Sequence, residues 1–268
     1  MPNLEQLLRL PNVDNGLPFS ISPDESRIIY SWNKTGRWEL WQSLNGEAPS
    51  PLSLKIDGAQ FAPKFSPDGS KLAFALDLDG SESYHIAIHD FETNTTTDLS
   101  TQILYAHQPN ISWSPDGQKL TVLSDAKGQF ALFVLPIDGS SAHMIRNIFH
   151  PCWDAAWSPD ALWVAVESEA AASDRSIHIV PVGRHKGKVR TVQLMWDGKA
   201  LNAQHPAWSP DSKFLAFSAE VDEWHDIGLF NIETQEITWV DQSAGDKTQP
   251  TWSRSGQGIG WVQAEGAK

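Results

Sequence analysis

Apolar and polar residues alternate along this chain with a period of two, in short runs that recur. Arg27 to Trp32, Lys71 to Leu76, Lys119 to Ser124, Trp163 to Ser168, Phe214 to Ala219 and Gly258 to Val262 are six such runs. A period of two sends successive side chains to opposite faces, so these segments predict strands and not helices. A turn signal stands ahead of each. Ser-Pro-Asp occurs at Ser22-Pro23-Asp24, Ser66-Pro67-Asp68, Ser114-Pro115-Asp116, Ser158-Pro159-Asp160 and Ser209-Pro210-Asp211, with a degenerate copy at Ser253-Arg254-Ser255-Gly256. The steps between the serines are 44, 48, 44, 51 and 44 residues, a regularity that marks a tandem repeat. Phe65, Trp113, Trp157, Trp208 and Trp252 precede the serine, with Ile21 in the first copy. A second alternating run follows in five copies, as in His85-Ile86-Ala87-Ile88 and Ile177-His178-Ile179-Val180. A third, more polar run closes them, as in Thr95 to Leu99 and Glu236 to Val240.

Ser-Pro-Asp-Gly suits a tight turn between strands. Serine and aspartate bond nearby backbone, proline presets φ at the second position, and glycine accepts positive φ at the fourth. Gly69 and Gly117 keep the glycine, whereas Glu25, Ala161 and Ser212 replace it. Those three turns are expected to use another geometry or to carry strain.

Four strands in about 44 residues make one blade of a ring whose members bury their faces on each other. The expected fold is all-β: a β-propeller of about six blades of four-stranded antiparallel sheet, the last incomplete. The blades fall at about 18–54, 60–100, 108–145, 152–194 and 204–240, with a partial one at 248–268, inside a propeller domain of 17–268. Residues 1–16 form a lead-in. There Leu4, Leu7, Leu8 and Leu10 stand at helical spacing before Pro11, which predicts a short helix. A two-stranded last blade exposes an edge near Gly258 to Val262. Either the ring closes with a thin blade, or a separate domain or second copy completes it, or the chain is the front of a longer protein.

Thirteen tryptophans now have an explanation, since one aromatic at the end of each inner strand can wedge between blades. The formal net charge of −13 repels phosphate backbones and anionic lipid, so no nucleic-acid or membrane partner is expected. Cys152 is the lone cysteine and leaves no internal disulfide. The opening Met-Pro-Asn-Leu-Glu-Gln has no basic start and long apolar run, and no stretch nears ~18 apolar residues. The expected location is the cytoplasm.

The segment Pro63-Lys64-Phe65-Ser66-Pro67-Asp68-Gly69-Ser70-Lys71-Leu72-Ala73-Phe74 resembles the repeat of TolB-like propellers, as does Pro206-Ala207-Trp208-Ser209-Pro210-Asp211-Ser212-Lys213-Phe214-Leu215-Ala216-Phe217. The same repeat occurs in the N-terminal propellers of prolyl-oligopeptidase-family serine peptidases. The resemblance spans about residues 18 to 264 and is far more specific for fold than for function. The opening Leu4 to Pro11, followed by Ile21-Ser22-Pro23-Asp24, is similar to the start of the peptidase propellers. The resemblance implies a propeller that does no chemistry itself, caps an α/β-hydrolase domain and limits access to small peptides. The hydrolase nucleophile sits in a Gly-x-Ser-x-Gly elbow. No such pattern occurs here, and neither Gly139-Ser140-Ser141 nor Ser255-Gly256-Gln257-Gly258 matches it. Only the propeller half carries over: a non-catalytic interaction or gating module that takes a peptide or protein at one rim, without a cofactor. Its partner would be a peptide, a separate hydrolase domain, or a second copy at the Gly258–Val262 edge. One alternative is a metal-dependent hydrolase of the lactonase-propeller type, with inward carboxylates or histidines around an ion in the channel. Another is a TolB-like assembly factor, a role that normally implies export.

Candidate binding residues follow from the repeat. His107, His150 and His205 stand just before inner strands, on connections that share one rim, where three imidazoles could hold a metal or an anion. The simpler role is to tie each connection to a neighbouring blade by a hydrogen bond. The connections Glu167 to Ser176 and Val221 to Asp226 belong to that rim. The second carries Asp222, Glu223, Trp224, His225 and Asp226, an acidic and aromatic set suited to a cationic or amine group. The rim set is therefore His107, His150, His205, Trp224, His225 and Asp226. His85, His89 and His178 lie on third strands and read as structural or exposed. Asp77-Leu78-Asp79-Gly80-Ser81 resembles the start of a calcium loop but lacks the distant glutamate, so a hairpin turn is expected. Cys152 lacks a nearby base with an orienting third group and reads as a small buried hydrophobe.

Overall fold

The turns close as their chemistry requires. In each full copy the serine hydroxyl donates to the aspartate carboxylate and accepts the amide five residues on. For Ser66 these contacts are 2.6 Å to Asp68 and 2.9 Å from the Lys71 amide. The same pair of bonds recurs at Ser22, Ser114, Ser158 and Ser209. The fourth position decides between the two expected outcomes. Gly69 has φ 75°, and Glu25, Ala161 and Ser212 take φ 62°, 59° and 61°. The turns without glycine keep the same geometry and hold an L-residue in the left-handed region, at about 1–2 kcal/mol each.

The computed structural model describes residues 12–14, 19–100, 107–146, 148, 150–171, 174–182 and 191–264. The helix expected near residues 3–10 lies outside them. The described residues form an all-β propeller and contain no helix. The first sheet is β1 (Phe19–Ile21), β2 (Arg27–Trp32), β3 (Glu39–Leu44) and β4 (Ser50–Pro51), in that order. The second is β5 (Ala59–Phe65), β6 (Lys71–Asp77), β7 (His85–Asp90) and β8 (Thr95–Asp98). The third is β9 (Ser112–Trp113), β10 (Lys119–Ser124), β11 (Ala131–Pro136) and β12 (His143–Arg146). The fourth is β13 (Cys152–Trp157), β14 (Trp163–Ala171), β15 (Asp174–Pro181) and β16 (Val192–Gln193). A small hairpin follows, β17 (Met195–Trp196) and β18 (Lys199–Ala200). The fifth sheet is β19 (Asn202–Trp208), β20 (Phe214–Glu220), β21 (His225–Asn231) and β22 (Ile237–Asp241). β23 (Asp246–Trp252) and β24 (Ile259–Ala264) form a two-stranded sixth. Neighbours are antiparallel throughout.

The core lies between sheets. Ile29 and Leu40 of blade 1 join Leu72, Phe74 and Leu76 of blade 2. Ala73, Ile86 and Ile88 of blade 2 join Leu120 and Val122 of blade 3. Leu123 and Leu132 join Val164 and Val166 of blade 4, and Ile177 and Ile179 join Leu215 and Phe217 of blade 5. Each fully buried side chain contributes about 1.5–3 kcal/mol, available only when the neighbouring blade is present. Three of the wedge tryptophans add a directional tie. The indole N–H of Trp113 donates to the Lys64 carbonyl, that of Trp208 to Ala156, and that of Trp252 to Ala207, at 2.9–3.0 Å.

Connections from first to second and from third to fourth strands share one rim, the Ser-Pro-Asp rim. Those from second to third strands and between blades share the other. The inner strands β5, β19 and β23 bulge on the way to that second rim. Ala62, His205 and Gln249, at φ 50°, 56° and 55°, each precede a proline there, and strand register slips across them.

Candidate functional site

On the second rim, a group of buried polar residues lies where blades 4 and 5 meet. Glu167 on β14 is buried, and its two oxygens are both engaged. Oε1 accepts from the Arg175 guanidinium on β15. Oε2 accepts the His205 amide at 2.9 Å, across the blade boundary. His205 lies in the bulge between Gln204 and Ala207, outside the β19–β20 ladder, and its amide reaches across to blade 4 instead. Arg175 is held further: its amide donates to Asn202 Oδ1 at 3.0 Å, and its guanidinium carbon stands 5.7 Å from the centre of the Trp153 ring.

Two titratable groups border this pair. Burial, reinforced by the Glu167 charge, pushes the Asp154 carboxyl up to about 6. Burial pushes the His205 imidazole down, against the pull of Glu167, so the ring is neutral at pH 7. Its buried Nδ1 has no hydrogen-bond partner. Perturbed groups of this kind concentrate at functional sites. Trp153 and Glu169 stand beside Arg175, Glu220 accepts from Asn202 next to it, and exposed Asp222 and Glu223 with half-buried Trp224 lie in the β20–β21 connection of the same rim. The collection is net acidic and partly aromatic, a surface suited to cationic groups.

The three histidines do not converge as a ring. They stand six, seven and three residues ahead of Trp113, Trp157 and Trp208, so the repeat places them differently. His107 is buried at the seam of blades 2 and 3, where its Nδ1 pairs with the Tyr84 carbonyl at 3.2 Å and burial lowers its pKa. It thus ties a connection to the neighbouring blade. His150 is exposed, and its charge helps burial push His178 down to about 4. His205 alone belongs to the blade 4–5 cluster. Among the described residues no three His, Cys, Asp or Glu side chains are grouped to hold a metal ion.

The acidic loop also divides. Asp226 is buried and paired with Lys247 Nζ at 3.1 Å, and Lys247 is itself fully buried, with the Gly245 and Ser243 carbonyls as further acceptors. That pair locks blade 5 to blade 6 and is no open rim carboxylate. His225 meets Asp246 at 3.1 Å across the same seam. Trp224 is half-buried beside them. Asp77 accepts the amides of Gly80 at 2.8 Å and of Asp79 at 3.3 Å, which makes its loop a turn. Burial pushes the Cys152 thiol up to about 12, so it is no nucleophile at neutral pH.

Asp154, Glu167 and Arg175 escaped the sequence reading as site residues. One signal was available. Asp154 stands three residues ahead of its blade's aromatic, as do Ala62, Asn110, His205 and Gln249. A carboxylate at an inner-strand position with that register is unusual within the repeat.

The TolB beta propeller domain family matches residues 15–253 of this chain. The chain belongs to that family. This TolB-type propeller is 26% identical over 196 residues to the uncharacterized peptidase YuxL of Bacillus subtilis, covering 61% of the chain and 30% of that protein. It therefore spans less than a third of that relative's length. Its fold matches TolB of Acinetobacter baumannii with TM-score 0.63 at 16% identity, over 87% of this chain and 56% of that one. It also matches the propeller domain of the Trilobed protease of Pyrococcus furiosus, described as having an open velcro topology. There the TM-score is 0.65 at 13% identity, over 96% of this chain and 78% of that one. Among the described residues, no helix is long and apolar enough to cross a membrane.

Proposed function

We propose that this propeller is a non-catalytic interaction and gating module that takes a cationic segment of a peptide or protein at the rim of second-to-third-strand connections. The supporting observation is the contrast between the two rims. On the Ser-Pro-Asp rim the serines and aspartates of the five full turns are consumed by their own turn bonds. On the other rim, Trp153 and Glu169 stand beside Arg175 of the Glu167–Arg175 pair, and Asp222, Glu223 and Trp224 of the β20–β21 connection are exposed or half-buried. Rigid strands carry them, which is the usual arrangement for recognition loops.

Likeness to peptidase propellers supports the gating part, with a hydrolase domain or a second copy as the further partner. The Gly258–Val262 edge is the pairing surface for that partner, and Val262 is 57% exposed there. The module reading is tested by incubating purified protein with peptidyl p-nitroanilide substrates. No release is expected. Turnover that a serine-directed inhibitor abolishes would overturn it.

A further inference from the structure

A second feature of the same rim lies away from the blade 4–5 cluster. A cleft of about 500 Å³ opens between blades 1 and 2. Three aromatic rings and three carboxylates line it: Trp38, Phe61, Tyr84, Asp14, Asp77 and Glu82. No Lys, Arg or His is among its described lining residues. The rings form a continuous wall. Trp38 and Phe61 have centroids 5.6 Å apart, and Phe61 and Tyr84 meet edge to face at 5.9 Å. All three are half-buried, so each keeps a surface open to the cleft.

The wall is held in place. The Tyr84 carbonyl accepts both the amide and Nδ1 of His107, at 3.3 and 3.2 Å. Asp77 is buried, and the Gly80 and Glu82 amides fix its carboxylate at 2.8 and 3.3 Å. Neither Asp77 nor Glu82 forms an ion pair with a Lys or Arg among the described residues. Burial first, then the charges of Glu82, Asp77 and Asp14, push the Tyr84 phenol up, so all three carboxylates act at that ring.

Aromatic faces carry negative charge density and attract cations, by about 0.5–2 kcal/mol per contact. Carboxylates at the same mouth add to that attraction and repel anions. A bare metal ion would want converging oxygen ligands, and the described residues supply no such group. A cation with an apolar flank uses both halves of the lining. We propose that this cleft binds an alkylammonium group, packed against the Trp38–Phe61–Tyr84 wall with Asp14, Asp77 and Glu82 around its charge. The site stands independently of protein binding at the blade 4–5 cluster.

Calorimetric titration of the whole chain with choline, and with its neutral isostere 3,3-dimethylbutan-1-ol, tests the assignment. Choline is expected to bind in the millimolar range or tighter, and the isostere at least about tenfold more weakly. Glu82→Gln on the exposed loop and Phe61→Leu, which keeps apolar volume but removes a ring, should each weaken choline about three- to tenfold. Nα-acetyl-lysine amide serves as a second probe. Tighter binding than choline would assign the group to a polypeptide side chain, and weaker binding to a free methylated amine. Equal affinity for choline and its isostere, no binding of either cation, or full binding by both variants would overturn the proposal. The peptidyl-substrate assay reads none of these outcomes, so the two proposals fail separately.

Discussion

The Arg254 guanidinium donates to the Pro23 carbonyl oxygen at 2.7 Å, joining residues 231 positions apart. It reaches the Ser22 carbonyl at 3.4 Å and pairs with Glu25 at 3.0 Å. This is where the sixth blade meets the first. It is one of several turn-to-turn contacts on the Ser-Pro-Asp rim. A Cβ built on Gly69 would stand 3.0 Å from Pro23, and one on Gly256 would stand 3.5 Å from Pro210. The Asp160 amide donates to Ser212 Oγ at 2.9 Å. Arginine stands where five other turns carry proline, and its length spans the seam.

Arg254→Ala should therefore loosen the closure. The exposed ion pair with Glu25 is worth little, and the bonds to backbone carbonyls about 1 kcal/mol. Thermal melts should show Arg254→Ala lowered by a few degrees and Glu25→Gln nearly unchanged. Equal losses from both would assign the seam to the ion pair.

Ala161 holds φ 59° with no side-chain bond in return, unlike Ser212. Ala161→Gly removes about 1–2 kcal/mol of left-handed strain and adds about 0.4–1 kcal/mol of unfolded-chain entropy. A net gain of about 0.5–1 kcal/mol is expected by denaturant titration, with the slope unchanged.

The wedge tryptophans are not equivalent. Trp208 Nε1 donates to Ala156, whereas the buried Trp157 Nε1 has no partner. Trp208→Phe strands a carbonyl as well as losing a bond, and should cost about 1–3 kcal/mol. Trp157→Phe removes an unsatisfied donor and should cost clearly less. Parallel urea unfolding of the two variants reads the difference.

Asp154 titrates at about 6 in the folded chain against 3.8 as its ordinary value. Between those values the folded state holds more protons than the unfolded chain, so this group's contribution to stability falls as pH rises through that window. Asp154→Asn should be more stable than wild type at pH 8, and the difference should vanish near pH 4. His107, His178 and His205 act in the opposite sense, since burial lowers their pKa and acid must charge them. Measuring the variant against wild type across pH separates the two.

The six runs after the turns, the Ser-Pro-Asp geometry and the wedge role of the tryptophans were legible because each rests on local chemistry repeated from blade to blade. β2 and β10 coincide with the expected runs, and the others differ by a few residues at most. What was not legible depends on contacts across seams. The bulge at His205 is set by Pro206 and the facing Glu167, 38 positions away. Asp226 looked like an open carboxylate because Lys247, its partner, lies on another blade. The β17–β18 hairpin had a local signal, Asp197-Gly198 between Trp196 and Lys199, with both turn residues at positive φ. Its Trp196 packs edge to face on Trp239 at 5.4 Å.

Recognition of a cationic segment by the acidic rim is tested most directly by fluorescence anisotropy with labelled lysine-rich and glutamate-rich octapeptides, at low and high salt. The lysine-rich peptide should bind, weaken as salt screens the rim, and lose most of its affinity in an Asp222→Lys/Glu223→Lys variant. Binding of neither peptide, or binding of the glutamate-rich one as tightly, would contradict it.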